Sequence, residues 1–225
     1  MKKLLITIDG PAGAGKTTVS RALAHRLGYR YIDTGALYRG VAYEIMNQGI
    51  DPENEAELAE LCQRLQLSFK TEGETLRIYS RETDISDRIR SPEISMLASS
   101  VSAKSVVRSY LLNVQREMGL QKAAVFEGRD MGTVVFPEAD VKFFLDASLN
   151  TRALRRYREL EAESDQSLDK VEKDMQRRDT NDSTRILAPL KPAVDAIVID
   201  STNLSVREVV DLMVSRIAEN EEAID

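Results

Sequence analysis

The sequence contains little of what several classes of protein need. It has no tryptophan, one cysteine and one histidine among 225 residues. The single Cys62 excludes an intrachain disulfide and a cysteine-rich zinc site, and its setting in LAELCQRLQL predicts a small core residue on an amphipathic helix. The lone His25, in SRALAHRL, is predicted on a helix surface without a histidine partner. Histidine general-base chemistry is therefore not expected.

Long apolar runs and a positive net charge are also missing. No run approaches the ~18 apolar residues that span a bilayer. The N-terminal LLITI is shorter than the ~7 residues of a signal peptide's apolar region and leads directly into a glycine loop. The sequence therefore predicts a cytoplasmic protein without a membrane partner. The net charge of −6 argues against nucleic-acid binding, although arginines gather in TRALRRYREL and MQRRDTNDSTR, as local anion sites or as solvated helix faces.

The order of apolar segments predicts an α/β fold. Short apolar strands alternate with helical patterns, which is typical of a parallel sheet covered by helices on both faces. Leu67 to Ile89 instead alternates apolar and polar residues, which predicts a small antiparallel insert with a turn at Glu72-Gly73-Glu74. Further expectations are helices from about residue 41, from Asp51, from Ser91 with a break near Lys104, and from Asn150 to Arg178, and a last buried strand at 196–201.

One loop carries a specific chemical signal. Gly10 to Thr17 reads GPAGAGKT and satisfies G-x-x-x-x-G-K-[ST], with an apolar strand before it and a helical pattern after it. Glycines let backbone N–H groups turn towards phosphate oxygens, and the helix N-terminus favours an anion. Lys16 is expected to reach the β- and γ-phosphates of a nucleotide, and the Thr17 hydroxyl to bind Mg²⁺. The predicted ATP-binding residues are Gly10, Pro11, Ala12, Gly13, Ala14, Gly15, Lys16, Thr17 and Thr18.

This loop does not identify the phosphate acceptor, because motors, switches, transporters and small-molecule kinases share it. The short chain, the absence of a guanine-reading N-K-x-D and the recurring arginines favour a kinase. Transfer of a phosphoryl group between two anions requires positive charge around both, and arginine binds phosphate with two parallel hydrogen bonds.

Beyond the loop, the sequence resembles the bacterial-type cytidylate kinases of the nucleoside monophosphate kinase group. The motifs that carry the resemblance are IDGPAGAGKTT, DTGALYR, EGRDMGTVVFP, KFFLDAS, RRDTNDSTR followed by APLKPA, and IDST. The resemblance implies transfer of the γ-phosphate of ATP to CMP or dCMP with Mg²⁺, in a monomeric protein with a five-stranded parallel sheet. It also implies a single kinase domain with a core of about 1–34 and 101–225, a monophosphate-binding region of about 35–100 that contains the antiparallel insert, and a short lid of about 152–178.

The resemblance also implies roles for individual residues. Arg39 would hold the acceptor phosphate, with Thr34 beside it, and Ser99 and Arg108 would face the cytosine. Between the two nucleotides, Arg129 would point to phosphate and Asp130 to the base. The CMP-binding set is thus Thr34, Arg39, Ser99, Arg108, Arg129, Asp130, Arg178, Asp182 and Arg185. The catalytic set is Lys16, Arg129, Asp130, Arg155 and Arg156, where Arg155 and Arg156 are lid candidates with Arg152.

The residues alone leave several of these assignments open. Ser99 could be a helix-packing serine and Arg108 a surface arginine. Arg178, Asp182 and Arg185 are spaced to share a helix face, either as a substrate site or as a mutual ion-pair network. Asp130 has a stronger independent case, because it follows a predicted strand at the edge where parallel sheets bind ligands. Two alternative functions also remain, a kinase for shikimate, gluconate or another monophosphate, and a regulatory module that slowly hydrolyses ATP.

Overall fold

The computed structural model describes residues 2–72, 75–160 and 167–222, and the chain divides into two compact units. Unit 1 comprises Met1–Tyr31 and Gln121–Asp225, and unit 2 comprises Ile32–Leu120. In chain order, the strands are β1 (Leu5–Asp9), β2 (Arg30–Asp33), β3 (Leu67–Glu72), β4 (Thr75–Ser80), β5 (Thr83–Asp84), β6 (Ala124–Glu127), β7 (Val141–Asp146) and β8 (Ile197–Asp200). The α-helices are α1 (Lys16–Leu27), α2 (Thr34–Gln48), α3 (Glu55–Arg64), α4 (Pro92–Val101), α5 (Ser105–Gly119), α6 (Leu149–Leu160), α7 (Leu168–Thr184) and α8 (Val206–Glu222).

Four strands of unit 1 and strand β2, which begins in it, form a five-stranded parallel sheet in the order β2-β6-β1-β7-β8. Every residue of β1 is buried, as expected for a strand flanked on both sides within a parallel sheet. Side chains of β1 pack with Leu23 of α1 and Met213 of α8 in one apolar core. The carboxyl ends of β1, β6 and β7 lie at the same edge of the sheet, which is where sheets of this kind bind ligands.

Unit 2 contains helices α2 to α5 and a second, three-stranded antiparallel sheet in the order β3-β4-β5. This sheet confirms the antiparallel insert, although Gly73 and Glu74 of the predicted turn lie outside the described residues. Side chains such as Leu37, Leu58 and Leu111 are fully buried in the core of the unit. Cys62 is buried there too, as predicted.

Several element boundaries differ from those predicted. Helix α2 begins at Thr34, seven residues before the predicted start, because the Asp33 carboxylate caps it by accepting a hydrogen bond from the Ala36 N–H. Helix α3 begins after Asn54, which caps it through Ala56 N and Glu57 N, and not at Asp51. The charged stretch from Asn150 to Arg178 forms α6 and the first part of α7 rather than one helix.

The last strand forms where it was predicted, but most of it is not buried as expected. β8 lies at the edge of the sheet, and of its four residues only Ile199 is buried, whereas Val198 is 61% exposed. A strand at the edge of a sheet buries less surface than a central strand, so the apolar residues of β8 are not buried on both faces.

Among the described helices, none combines the length and the apolar character that crossing a membrane requires.

Candidate active site

The loop between β1 and α1 has a backbone that only glycine accommodates. Gly10, Gly13 and Gly15 have φ angles of 149°, 72° and 87°, which side-chain-bearing residues rarely adopt. A Cβ atom on Gly10 would also lie 2.0 Å from the carbonyl oxygen of Leu145 in β7. The glycines therefore let the loop lie directly against the neighbouring strand, as the phosphate-loop prediction requires.

Lys16 is the first residue of α1 and is almost completely buried. Its Nζ donates a hydrogen bond of 2.6 Å to the carbonyl oxygen of Pro11 in the same loop. Burial lowers the pKa of Lys16 well below its ordinary value, and the positive charges of Arg129 and Arg178 lower it further. An anion beside Lys16 would oppose all three effects.

The Thr17 hydroxyl donates to a carboxylate that sequence reasoning missed. Its Oγ1 lies 2.8 Å from Oε1 of Glu127, the last residue of β6, and the Tyr31 hydroxyl donates to Oε2 of the same group at 2.7 Å. In the described part of the chain, no group of three or more His, Cys, Asp or Glu residues is arranged to hold a metal ion. Mg²⁺ in nucleotide sites commonly takes one or two protein oxygens together with phosphate oxygens, so Thr17 and Glu127 fit such an ion.

Asp9, at the end of β1, joins the phosphate loop to the GRDMG segment. Its two carboxylate oxygens accept hydrogen bonds from the backbone N–H groups of Met131 and Gly132, both at 2.8 Å. Burial raises the pKa of Asp9 from 3.8 to about 6, although these two hydrogen bonds and Lys16 oppose the rise. Asp9 was not predicted from the sequence, because the motif does not show which backbone N–H groups donate to its carboxylate.

Replacing Asp9 with asparagine is expected to change how stability depends on pH. A carboxyl with a raised pKa in the folded state stabilises the fold at low pH, and that contribution is lost as pH rises through about 6. Relative to Asp9→Asn, the wild-type free energy of unfolding should fall by about 2 kcal/mol between about pH 4.5 and pH 7.5. Urea denaturation without nucleotide or divalent cation measures this. A difference between the two proteins that stays constant with pH would contradict it.

Two arginines and two aspartates of unit 1 form a chain of alternating charge, in which Asp130, Asp182 and the Arg185 side chain are buried and Arg129 is partly exposed. Arg129 Nε lies 3.0 Å from Asp182 Oδ2, Arg185 Nη1 lies 3.9 Å from Asp182 Oδ1, and Arg185 Nη2 lies 3.6 Å from Asp130 Oδ1. Buried charges are tolerated when they are paired in this way. The structure thus brings together four of the predicted acceptor-site residues as a network of ion pairs. The predicted substrate site concerns the same four residues.

The predicted helical face through Arg178, Asp182 and Arg185 is wrong for its last member. Helix α7 ends at Thr184, and Arg185 has an extended backbone with φ −62° and ψ 141°. Its Nε donates to the carbonyl oxygen of Ala188, which holds the guanidinium against the chain that follows. Arg185 therefore joins the cluster from beyond the end of α7. The positive charge of Arg178 lowers the pKa of Lys16.

The three predicted lid arginines lie on α6 and have different surroundings. Arg152 is buried, donates to the carbonyl oxygen of Ala12 at 3.0 Å and pairs with Asp179 at 2.6 Å. Arg155 donates to the Ser201 carbonyl at 2.7 Å and contacts the Ala14 carbonyl at 3.5 Å. Arg152 and Arg155 thus touch the phosphate loop itself. Arg156 pairs with Glu159 on its own helix and is more exposed.

Within unit 2, the predicted acceptor residues have local partners. Arg39 pairs with Asp33 at 2.8 Å across the first turns of α2. Thr34, the residue after Asp33, is buried. Arg108 Nη1 donates to the Ser102 carbonyl at 3.1 Å. Its guanidinium carbon lies 6.0 Å from the centre of the Tyr38 ring. The half-buried Ser99 accepts a hydrogen bond at its carbonyl from Ser102. Asp33 and Tyr38 were not predicted as site residues.

The fold and the loop define a broad class, the α/β proteins with a phosphate-binding loop. Among solved structures, the fold is similar to a gluconokinase from Sinorhizobium meliloti, with a TM-score of 0.54 and 13% identity over 99% of this chain and 95% of that one. It is also similar to a shikimate kinase from Acinetobacter baumannii, with a TM-score of 0.50 and 17% identity over 96% and 94% of the two chains. At such low identities, these similarities concern the fold alone.

The family follows from the sequence comparisons. Residues 6–219 match the family model described as cytidylate kinase. A cytidylate kinase of Geobacter sulfurreducens is 50% identical over 221 residues, which cover 98% of this chain and 95% of that protein. One of Citrifermentans bemidjiense is 46% identical over 217 residues, or 96% and 93% of the two chains. The chain belongs to the cytidylate kinase family, and it is a nucleoside monophosphate kinase.

Proposed function

We propose that the protein transfers the γ-phosphate of ATP to CMP or dCMP, giving CDP or dCDP and ADP, in a reaction that requires Mg²⁺. The observation that carries this proposal is that a glycine loop around buried Lys16 and the largely buried cluster of Arg129, Asp130, Asp182 and Arg185 belong to the same unit. Membership of the cytidylate kinase family supports the choice of a cytidine monophosphate as acceptor.

The reaction needs positioning and positive charge more than proton transfer. A phosphate monoester has a second pKa of about 6, so at neutral pH the acceptor is largely a dianion whose oxygen is already a nucleophile. That oxygen forms a bond to the γ-phosphorus, the bond from this phosphorus to the β,γ-bridging oxygen breaks, and ADP takes the electron pair. Total charge is the same on both sides, so no general base is required.

In this proposal, the chain's own residues neutralise and align the two anions. Lys16 and the loop N–H groups bind the β- and γ-phosphates, and Arg129 and Arg178 supply further positive charge close to Lys16. Mg²⁺ would neutralise phosphate charge while held by Thr17, with Glu127 beside it. Arg155 and Arg156 are proposed to act from a lid of about 152–178, of which residues 161–166 lie outside the described part of the chain.

Acceptor-binding roles are proposed for residues of each unit separately. Arg39 and Thr34 would bind the acceptor phosphate, Ser99 and Arg108 the cytosine, and Asp182 with Arg178 and Arg185 the ribose and phosphate. A region of about 35–100 would thus bind the monophosphate, within a single kinase domain. We also propose that the protein is a cytoplasmic monomer that binds no nucleic acid.

Arg108→Ala is expected to weaken CMP binding more than ATP binding. The guanidinium is held by the Ser102 carbonyl and lies against Tyr38, so it is already oriented before a base arrives. The KM for CMP should rise by about ten- to a hundredfold, as for loss of a hydrogen bond from a charged donor, with less than about a twofold change for ATP. Arg116→Ala, on the exposed side of the same helix, is the matched control. An unchanged KM for CMP would show that the base-site assignment is wrong.

A label-transfer experiment tests the proposed reaction itself. ATP labelled in the γ-phosphate is incubated with the protein, CMP and Mg²⁺, and the products are separated. The proposal predicts that the label appears in CDP and that ADP forms in equal amount. Label released mainly as inorganic phosphate, at a rate independent of CMP, would instead support a nucleotide-hydrolysing regulatory module.

A further inference from the structure

Tyr31 donates a hydrogen bond to a buried carboxylate next to the phosphate loop. The Tyr31 hydroxyl lies 2.7 Å from Glu127 Oε2, and Thr17 Oγ1 lies 2.8 Å from Oε1 of the same side chain. Each carboxylate oxygen of Glu127 therefore has a hydroxyl donor. All three residues belong to unit 1, in which Tyr31 lies on β2, Glu127 ends β6 and Thr17 is in the first turn of α1.

This arrangement fixes the direction of the Thr17 hydroxyl. A hydroxyl has one hydrogen and two lone pairs, and it rotates to suit its partners. Since an ionised carboxylate only accepts hydrogen bonds, Thr17 gives its hydrogen to Glu127. The lone pairs of Thr17 Oγ1 are then directed away from Glu127 and are available to a cation.

The orientation of the Glu127 carboxylate depends in turn on its donors. The last torsion of a glutamate side chain has broad minima, so the carboxylate group turns easily unless partners hold it. Tyr31 holds the oxygen that Thr17 does not. Removal of the Tyr31 hydroxyl takes away one of the two hydroxyl groups that set the plane of the carboxylate, and with it part of the constraint on Thr17.

We propose that Tyr31 is a positioning residue for the divalent cation that enters with the nucleotide. By holding Glu127, Tyr31 keeps the Thr17 hydroxyl in the orientation that binds this cation. The inference rests on the proposed Mg²⁺-dependent function and extends it to a residue outside every motif of the sequence. Partners of metal-binding groups commonly change metal affinity by about 10- to 100-fold when they are removed.

A purely structural role for Tyr31 makes a different prediction. The Tyr31 ring is half-buried, and the guanidinium carbon of Arg21 lies 5.3 Å from its centre, so the ring has packing partners of its own. Tyr31→Phe keeps the ring and removes only the hydroxyl. If Tyr31 served only packing, this change would leave the contribution of the cation to nucleotide binding unaltered.

The test is the affinity for a non-hydrolysable ATP analogue, measured by calorimetry with excess Mg²⁺ and again with EDTA. The dissociation constant in EDTA divided by the dissociation constant in Mg²⁺ measures the contribution of the cation to nucleotide binding. In Tyr31→Phe, this ratio should fall by about tenfold relative to wild type, while the affinity in EDTA stays within about twofold. Tyr29→Phe is the matched control, because its hydroxyl bonds to the Lys2 carbonyl and the Leu4 N–H at the opposite end of the strands. Its ratio should equal that of wild type.

A double-mutant cycle with Glu127→Gln supplies a second readout. If Tyr31 acts through Glu127, Tyr31→Phe should change the ratio by less than about twofold in the Glu127→Gln background. A wild-type ratio in folded Tyr31→Phe, or an equal loss of affinity with and without Mg²⁺, would overturn the role of Tyr31 and leave the proposed function intact. If wild type itself binds the analogue equally well in Mg²⁺ and EDTA, the Mg²⁺ dependence and the role of Tyr31 are both wrong.

Discussion

Lys16→Ala is expected to abolish phosphoryl transfer while the protein remains folded. Lys16 is buried at the start of α1 and supplies positive charge where the β- and γ-phosphates are proposed to bind. In a site that excludes water, removal of such a group should lower kcat by about a thousandfold or more. The measurement is the steady-state rate of ADP formation at saturating CMP and ATP.

The fold should tolerate this substitution because burial of the charged lysine destabilises the folded state. Burial and two nearby arginines lower the pKa of Lys16, so the folded state disfavours its charged form. The substitution removes that penalty together with one hydrogen bond to Pro11, and the free energy of unfolding should change by less than about 2 kcal/mol. Lys122→Ala, a surface substitution in an ion pair with Asp140, is the control and should retain wild-type kcat. A folded Lys16→Ala protein with comparable kcat would defeat the phosphate-loop assignment.

Asp182→Ala should damage both stability and activity. Asp182 is the shared partner of Arg129 and Arg185, and its carboxylate and the Arg185 side chain are buried. Its removal leaves positive charges buried without this compensation, which typically costs about 3–5 kcal/mol. Because Arg129 would lose the group that orients it, kcat/KM for CMP should also fall by about a hundredfold or more.

A matched control separates these effects from the loss of any aspartate on α7. Asp174 lies on the same helix with its side chain exposed, and Asp174→Ala should change neither property measurably. Urea denaturation gives the free energy of unfolding, and initial rates at several CMP concentrations give kcat/KM. Wild-type values of both quantities in Asp182→Ala would show that the ion pairs of Asp182 have neither a structural nor a functional role.

Local patterns predicted the parts of the site that are continuous in sequence. The strand, glycine loop and helix at the start of the chain, the antiparallel insert and the strand before GRD follow from glycine spacing and from the period of apolar residues, and the structure confirms all three. Asp130 could be placed at the edge of the sheet because it follows a buried strand. The resemblance to cytidylate kinases added the acceptor residues, and the family is confirmed.

The parts that the sequence did not predict depend on contacts between distant segments. Asp9 and Glu127 end two strands, and a carboxylate in that position was the only signal available. Their partners, the backbone of 131–132 for Asp9 and Thr17 with Tyr31 for Glu127, are set by the pairing of β1 with β6 and by the loop that follows. For Arg185, the helical spacing rule failed because α7 ends one residue earlier.

The proposed transfer of phosphate to a cytidine monophosphate is tested most directly by an acceptor panel, assayed by ADP release with Mg²⁺ and ATP. The panel contains CMP, dCMP, UMP, AMP, shikimate and gluconate, together with a reaction that lacks an acceptor. We expect the highest kcat/KM with CMP or dCMP, at least about a hundredfold above AMP, shikimate and gluconate, and almost no ADP without an acceptor. Equal or faster ADP release with shikimate, with gluconate or with no acceptor would contradict it.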